Sequence, residues 1–215
     1  MIEIKNLYLK FIREYYALYD ISINIEEGEC ICLLGQAESG KTSLLRVLAK
    51  LEKYEKGEVY IKDIPLGRIN FKDDVQLGYV SYMPSYLNKK TVYENFKYVL
   101  KQRKVPKGEI EQRINDVLIE YNLEKYKNTK ISALSLFEKH AISIIRLALR
   151  PLEVALVDNI FNNIDEEQTE HLVSLIKSVF LDKNVTTLIA TENEDIAKIF
   201  SDKIIKFENG SIVKE

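Results

Sequence analysis

The chain has 215 residues, 46% hydrophobic and 30% charged, enough for one or two domains with a real core and unlike disordered, fibrous or membrane-spanning chains. Lys plus Arg is 31 against 33 Asp plus Glu, a formal charge of −2, so no broad basic field holds a polynucleotide and no nucleic acid partner is expected. Only 8 glycines are present where average usage gives roughly 15, which leaves few places for backbone to wrap a ligand.

The amino-terminal segments IEIKNL and ISINI alternate apolar and polar residues as half-buried strands do, and ECICLL is continuously apolar, as in a strand buried on both faces. The start MIEIKNLYLKF lacks the basic-then-apolar layout of a secretory leader. Cys30 and Cys32 alternate on the third strand with no second Cys/His cluster to complete a zinc site, so they read as reduced core thiols.

That strand runs into GQAESGKTS and then into SLLRVLAKLEKY, whose apolar residues recur at helical spacing. Gly35, Gln36, Ala37, Glu38, Ser39, Gly40, Lys41 and Thr42 match G-x-x-x-x-G-K-[ST], followed by Ser43. In such a loop backbone N–H groups wrap phosphates, the lysine bridges the outer phosphates and the hydroxyl holds Mg²⁺. The strand before it and the helix after it are the context this chemistry needs. Glu38 is discordant, since a carboxylate beside a polyphosphate repels it unless it points outward.

Short strands follow in EVYIKD and LGYVSYM, closed by Pro84. From about Thr91 to Arg150 the pattern turns helical: TVYENFKYVLKQRK up to Pro106, then EIEQRINDVLIEYNLEKY, then a helix beginning near Ser135. The basic stretch from Lys89 to Lys107 is interleaved with Tyr and Val and reads as a solvated helix face, with lipid headgroups as a lesser alternative. The most apolar run, AISIIRLALRPLEVALV, is broken by Arg146, Arg150 and Glu153, too polar to span a membrane.

LEVALVD and TTLIATE, separated by the helical EEQTEHLVSLIKSVFLDK, restore the β-α-β alternation of a parallel sheet. Asp158 ends an apolar strand and is the expected second holder of Mg²⁺. KIIKFENGSIVKE is a hairpin turning at Asn209-Gly210. His140 and His171 lack acidic or cysteine companions at ligand spacing and read as packing residues. The sum is an α/β chain: a P-loop NTPase core with a mostly parallel sheet, an antiparallel β portion at the amino terminus and an inserted helical subdomain. One domain is expected over 1–215, with its core at 1–84 and 151–215 and the helical subdomain at about 85–150.

In order and over nearly its whole length, the chain resembles the nucleotide-binding domain of ABC transporters. IEIKNLYLKF looks like that family's opening strand and adenine-stacking segment, with Phe11 as the stacking aromatic and Tyr15 or Tyr16 as fallbacks. The resemblance implies ATP and Mg²⁺ as ligands, two such domains sandwiching two ATP molecules as a homodimer or heterodimer, and docking on separate transmembrane permease subunits. It implies a cytoplasmic protein held on the inner face of the membrane through that partner.

Several of the family's working positions differ here. Tyr82 in Gly78-Tyr79-Val80-Ser81-Tyr82 stands where a metal-contacting and membrane-coupling glutamine is expected. The LSGGQ signature is Leu134-Ser135-Leu136-Phe137-Glu138, and Ser135 with Glu138 three residues on also reads as a plain S-x-x-E capping box. Asn159 replaces the glutamate that orients the attacking water, and Glu192 replaces the histidine at the terminal phosphate. Asp165, at the D-loop position of the dimer interface, is kept. Loss of a positioned base costs roughly 10²–10⁴ in rate, so a subunit that binds Mg-ATP and hydrolyses it poorly or not at all is expected. The alternative is a soluble ATP-binding regulatory or scaffold protein derived from such a domain.

Overall fold

Alternation in the sequence becomes pairing in space. β1 (Ile2–Ile12) and β2 (Tyr15–Ile25) pair antiparallel, and β4 (Lys56–Ile61) pairs on the other side of β1. Ile4 lies opposite Ile23 and Val59, so one face of the sheet buries a continuous apolar row. Both amino-terminal strands run longer than the alternating segments alone indicate, because β1 continues through Tyr8 and Lys10 and β2 begins at Tyr15. The computed structural model describes residues 1–12, 15–201 and 203–213, with positions 11 and 12 described in backbone only.

β3 (Cys30–Leu34) begins the second sheet, and α1 (Lys41–Leu48) follows it directly. β5 (Ile64–Pro65) extends the antiparallel sheet, giving the order β2-β1-β4-β5. β6 (Leu77–Val80) is shorter than the apolar run suggests, because Ser81 turns the chain by donating its hydroxyl to Met83 O. After the helices α2 (Val92–Gln102), α3 (Lys107–Glu120) and α4 (Leu136–Leu147) come β7 (Val154–Asp158), α5 (Glu166–Val179), β8 (Thr186–Thr191), α6 (Glu194–Phe200), β9 (Ile204–Glu208) and β10 (Ser211–Ile212). The second sheet has the order β10-β9-β3-β8-β7-β6, with β3 parallel to β8 and β9, and β8 parallel to β7. This is the expected mostly parallel core beside an antiparallel portion.

The chain divides into two compact units. The first comprises residues 1–79, 152–160 and 180–215. In it α1 places Leu44, Leu45, Val47 and Leu48 in one core with Leu33, Leu156 and Leu188. Each fully buried side chain of this kind stabilises by about 1.5–3 kcal/mol. Cys32 is buried and Cys30 half-buried, both as free thiols.

The second unit comprises 80–151 and 161–179. α2 and α4 both start with capping boxes, Thr91 with Glu94 and Ser135 with Glu138. Phe96, Ile142 and Ile144 are fully enclosed. Buried Asn95 bonds both the N–H and the carbonyl of Leu87, fastening the segment that leads into α2. Among the described residues no helix is long and apolar enough to cross a membrane.

Candidate functional site

β3, β8 and β7 are neighbouring parallel strands, so the chain leaves all three at the same sheet edge, where open α/β sheets bind ligands. Backbone bonds tie the exits together. Gly35 N–H donates to Thr191 O at 3.3 Å, and Asn159 N–H donates to Ala190 O at 3.0 Å.

From β3 the loop Gly35–Gly40 turns into α1. Gly40 has φ +107°, and a Cβ there would sit 2.6 Å from Ala17 O; a Cβ at Gly35 would collide with the Phe207 carbonyl. Both glycines are therefore demanded by close backbone. α1 opens with no side-chain cap, so its first-turn amides face the loop with the positive end of the helix dipole behind them. Glu38 adopts φ 62° and is exposed, which keeps its charge in water.

Lys41 is buried, and its Nζ donates to Gly35 O and Gln36 O at 2.7 Å each and to Ser39 Oγ at 3.0 Å. Burial holds its ammonium below the ordinary lysine range, while Glu192 and, less strongly, Asp158 oppose that shift. A polyphosphate in the loop would replace neutral carbonyl partners with anionic ones and strengthen each bond.

Thr42 Oγ1 donates to Asp158 Oδ1 at 2.8 Å, and Tyr79 donates its hydroxyl to Asp158 Oδ2 at 2.7 Å. Asp158 is 2% exposed, so both carboxylate oxygens are engaged out of reach of bulk water. Burial and the neighbouring Asp158 charge hold the Tyr79 hydroxyl protonated far above its ordinary range. Next along the chain, Asn159 Nδ2 donates to Glu192 Oε1 at 3.0 Å, while Asn159 Oδ1 is buried without a hydrogen-bond partner. Asn159 has φ 53°, a left-handed conformation that asparagine tolerates better than most residues.

These groups border a cavity of about 540 Å³ lined by residues 37–43 with Tyr15, Ala17, Asn159 and Glu192. That is the size of a small-molecule site. A second hollow of about 600 Å³ lies along residues 34–39 and 206–209, and Tyr15 borders both. Mg²⁺ takes hard oxygen ligands and is usually held by one or two carboxylates together with substrate phosphates. Thr42 and Asp158, already 2.8 Å apart, fit that role. Among the described residues no cluster of three or more His, Cys, Asp or Glu forms an all-protein cage.

The expected site residues therefore separate. Gly35 to Ser43, Asp158, Asn159 and Glu192 converge in the first unit. Phe11, expected to stack on a base, lies outside the described side chains, whereas half-exposed Tyr15 borders the cavity. Tyr82 belongs to the second unit, with its carbonyl 2.8 Å from His140 Nε2, which must carry the proton of that bond. His140 is fully buried, while His171 is exposed and meets Phe137 edge to face at 5.6 Å.

In the same unit Ser135 Oγ accepts from Glu138 N–H at 3.2 Å, and the Glu138 carboxylate accepts from Ser135 N–H at 2.7 Å. The capping-box reading of this segment is thus realised. Asp165 Oδ1 accepts from Gln168 N–H at 2.8 Å at the start of α5. Sequence reasoning missed Tyr79 as a partner of Asp158. Its only signal was a tyrosine on the strand that neighbours β7.

A phosphate loop, a buried strand-end aspartate and an uncapped helix start at one sheet edge define a P-loop nucleotide-binding protein. A family model described as ABC transporter matches residues 18–162. The chain belongs to the ABC transporter family and carries its ATP-binding domain. It is 31% identical over 219 residues to the methionine import ATP-binding protein MetN of Clostridioides difficile (strain 630), covering 100% of this chain and 68% of that protein. It is 28% identical over 204 residues to MetN 1 of Bacillus thuringiensis subsp. konkukian, covering 93% of this chain; the match spans 60% of that relative's length.

Among solved structures, the dimeric post-hydrolysis state of the ATP-binding cassette MJ0796 bound to ADP and Pi superposes with a TM-score of 0.86 at 25% identity, covering 100% of this chain and 97% of that one. The fold is likewise that of cbiO1 from Clostridium perfringens, part of the ABC transporter complex cbiONQ, with a TM-score of 0.85 at 20% identity over 99% of this chain and 86% of that one.

Proposed function

We propose that this chain is an ATP-binding subunit that takes Mg-ATP at the β3–α1 loop, hydrolyses it slowly, and docks on separate transmembrane permease subunits. The observation that supports this most is the convergence of Lys41, Thr42 and Asp158 around an uncapped helix start. Residues 35–43 cradle the phosphates, with Lys41 at the outer ones. Thr42 and Asp158 hold Mg²⁺, which when bound neutralises charge on the phosphate oxygens. Tyr15, which borders the cavity, offers a platform for the base, with Phe11 as the other aromatic of this segment.

Slow turnover follows from Asn159, which leaves no proton acceptor at the end of β7, and from the negative charge that Glu192 brings to the terminal phosphate, a cost that remains whatever else its carboxylate does. We read the chain as a single ABC-type domain, with its core at 1–84 and 151–215 and its helical subdomain at about 85–150. It pairs as a homodimer or with another ATP-binding subunit. MetN supplies methionine import in its own organisms, which makes a methionine-type import permease the first membrane partner to test here.

The test is ATP binding and steady-state phosphate release by the purified chain, with Lys41→Ala as the blank, and recovery of a membrane protein on purification from membranes. Binding that Lys41→Ala abolishes, with release well below ordinary enzyme rates of roughly 10 s⁻¹, is the expected result. Tight ATP binding by a chain that never brings down a membrane protein would favour the soluble regulatory reading.

A further inference from the structure

Asn159 and Glu192 stand where a carboxylate and a neutral ring are expected in this family, and the structure joins the two replacements. β7 and β8 pair in parallel with Asp158 opposite Ala190, so the residues leaving each strand come side by side. Asn159 N–H is anchored on Ala190 O, and Asn159 Nδ2 holds Glu192 Oε1 at 3.0 Å. β8 lies between β3 and β7, which places Glu192 between the phosphate loop and Asn159.

Of the described residues lining this cavity, only Glu38 and Glu192 carry carboxylates, and Glu38 is exposed to solvent. Asp158 is occupied by Thr42 and Tyr79. Among the described residues lining the cavity, Glu192 is therefore the carboxylate that is both partly enclosed and oriented by a neighbour. A carboxylate steered by an amide donor at the edge of a cavity is placed to take a proton from a water within hydrogen-bond reach of it.

We infer that the carboxylate of this site has moved from β7 to β8: Glu192 is the base for the slow hydrolysis of ATP, and Asn159 is its positioning residue. This rests on the slow-turnover reading above. In the step, the water oxygen bonds to the terminal phosphorus and its proton passes to a Glu192 carboxylate oxygen. The bond from that phosphorus to the bridging oxygen breaks, and its electron pair leaves on ADP. Asn159 Nδ2 fixes the Glu192 carboxylate. Later transfer of the proton from Glu192 to phosphate or solvent restores the carboxylate.

The experiment is single-turnover and steady-state phosphate release from Mg-ATP, beside ATP affinity, for the parent chain, Glu192→Gln, Asn159→Ala and the exchange Asn159→Glu/Glu192→Gln. Glu192→Gln is expected to lower turnover by about 10²-fold or more, with ATP affinity within a few-fold of the parent. Asn159→Ala is expected to lower it less. The exchange variant, with its carboxylate back on β7, is expected to recover at least tenfold over Glu192→Gln, which a merely structural pair would not do. Parent-like release by Glu192→Gln overturns the inference, as does ATP binding without any release above the Lys41→Ala blank; that second result leaves the ATP-binding reading standing. Failure of the parent to bind ATP removes both.

Discussion

Tyr79 donates its hydroxyl to Asp158 Oδ2 at 2.7 Å while Thr42 donates to Oδ1 at 2.8 Å, so the carboxylate at the end of β7 is held from two directions. One donor comes from the start of α1 and the other from β6, the strand beside β7. The aspartate is thus fixed in place by the protein's own donors. Removing either donor strands a buried, charged acceptor.

Tyr79→Phe is expected to lower the unfolding free energy by about 1.5–3 kcal/mol, the usual worth of a hydrogen bond to a charged group. Saturating Mg-ATP is expected to narrow the gap, because a cation held by Asp158 would offset the charge left without its donor. Denaturant titrations with and without nucleotide measure both effects, and an unchanged midpoint would show that Asp158 finds another donor.

Ser135→Ala removes the cap of α4 and should cost about 1 kcal/mol, within the 0.5–2 kcal/mol range for such caps. ATP affinity of the isolated chain should stay at the parent value, because the Ser135 hydroxyl is spent on Glu138 N–H. Thermal unfolding beside nucleotide titration checks this. A large loss of ATP affinity would show that Ser135 holds phosphate instead.

Burial pushes the Glu153 carboxyl up, but bonds from Lys62 Nζ and Gln76 N–H outweigh it and leave the group below its ordinary value of 4.5. A carboxyl depressed by folding contributes stability that is fully present above its unfolded value and is lost as pH falls through the folded one. Glu153→Gln should therefore be less stable than the parent at pH 7, and the two should converge as the pH drops below about 4. Parallel stability curves across that interval would rule out the linkage.

Asn159→Glu alone is not expected to restore ordinary turnover. It sets a second carboxylate against Glu192, with which Asn159 now shares a 3.0 Å bond, and like charges that close disfavour double ionisation. Phosphate release should remain far below roughly 10 s⁻¹. Recovery to that rate from the single change would mean that Glu192 and Tyr82 matter little.

The phosphate loop, Asp158 and the helical insert were legible because each is written in contiguous residues: a strand, a glycine-bounded turn and a helix, or a periodic run between breakers. The Asn159–Glu192 pair was not, since the two are 33 residues apart and meet only through the parallel register of β7 and β8. Tyr79 escaped notice for the same reason, its partner lying 79 positions away. α6 has only seven residues, too few for a clear period, although Asn193 followed by Glu194 and Asp195 is a recognisable cap. The place of Tyr15 at the cavity was not legible either, because spacing alone does not tell which aromatics of β1 and β2 border the loop.

The closed first turn of α4 ties two properties into opposition. A helix end that captures a foreign phosphate must keep its amides bare and its charge low, yet here Ser135 N–H and Glu138 N–H are claimed internally and the Glu138 anion remains beside them. Evolution toward a firmer helical unit and evolution toward gripping a second subunit's nucleotide would pull these same few atoms in contrary directions. As folded, the first turn of α4 keeps its own amides for its own side chains.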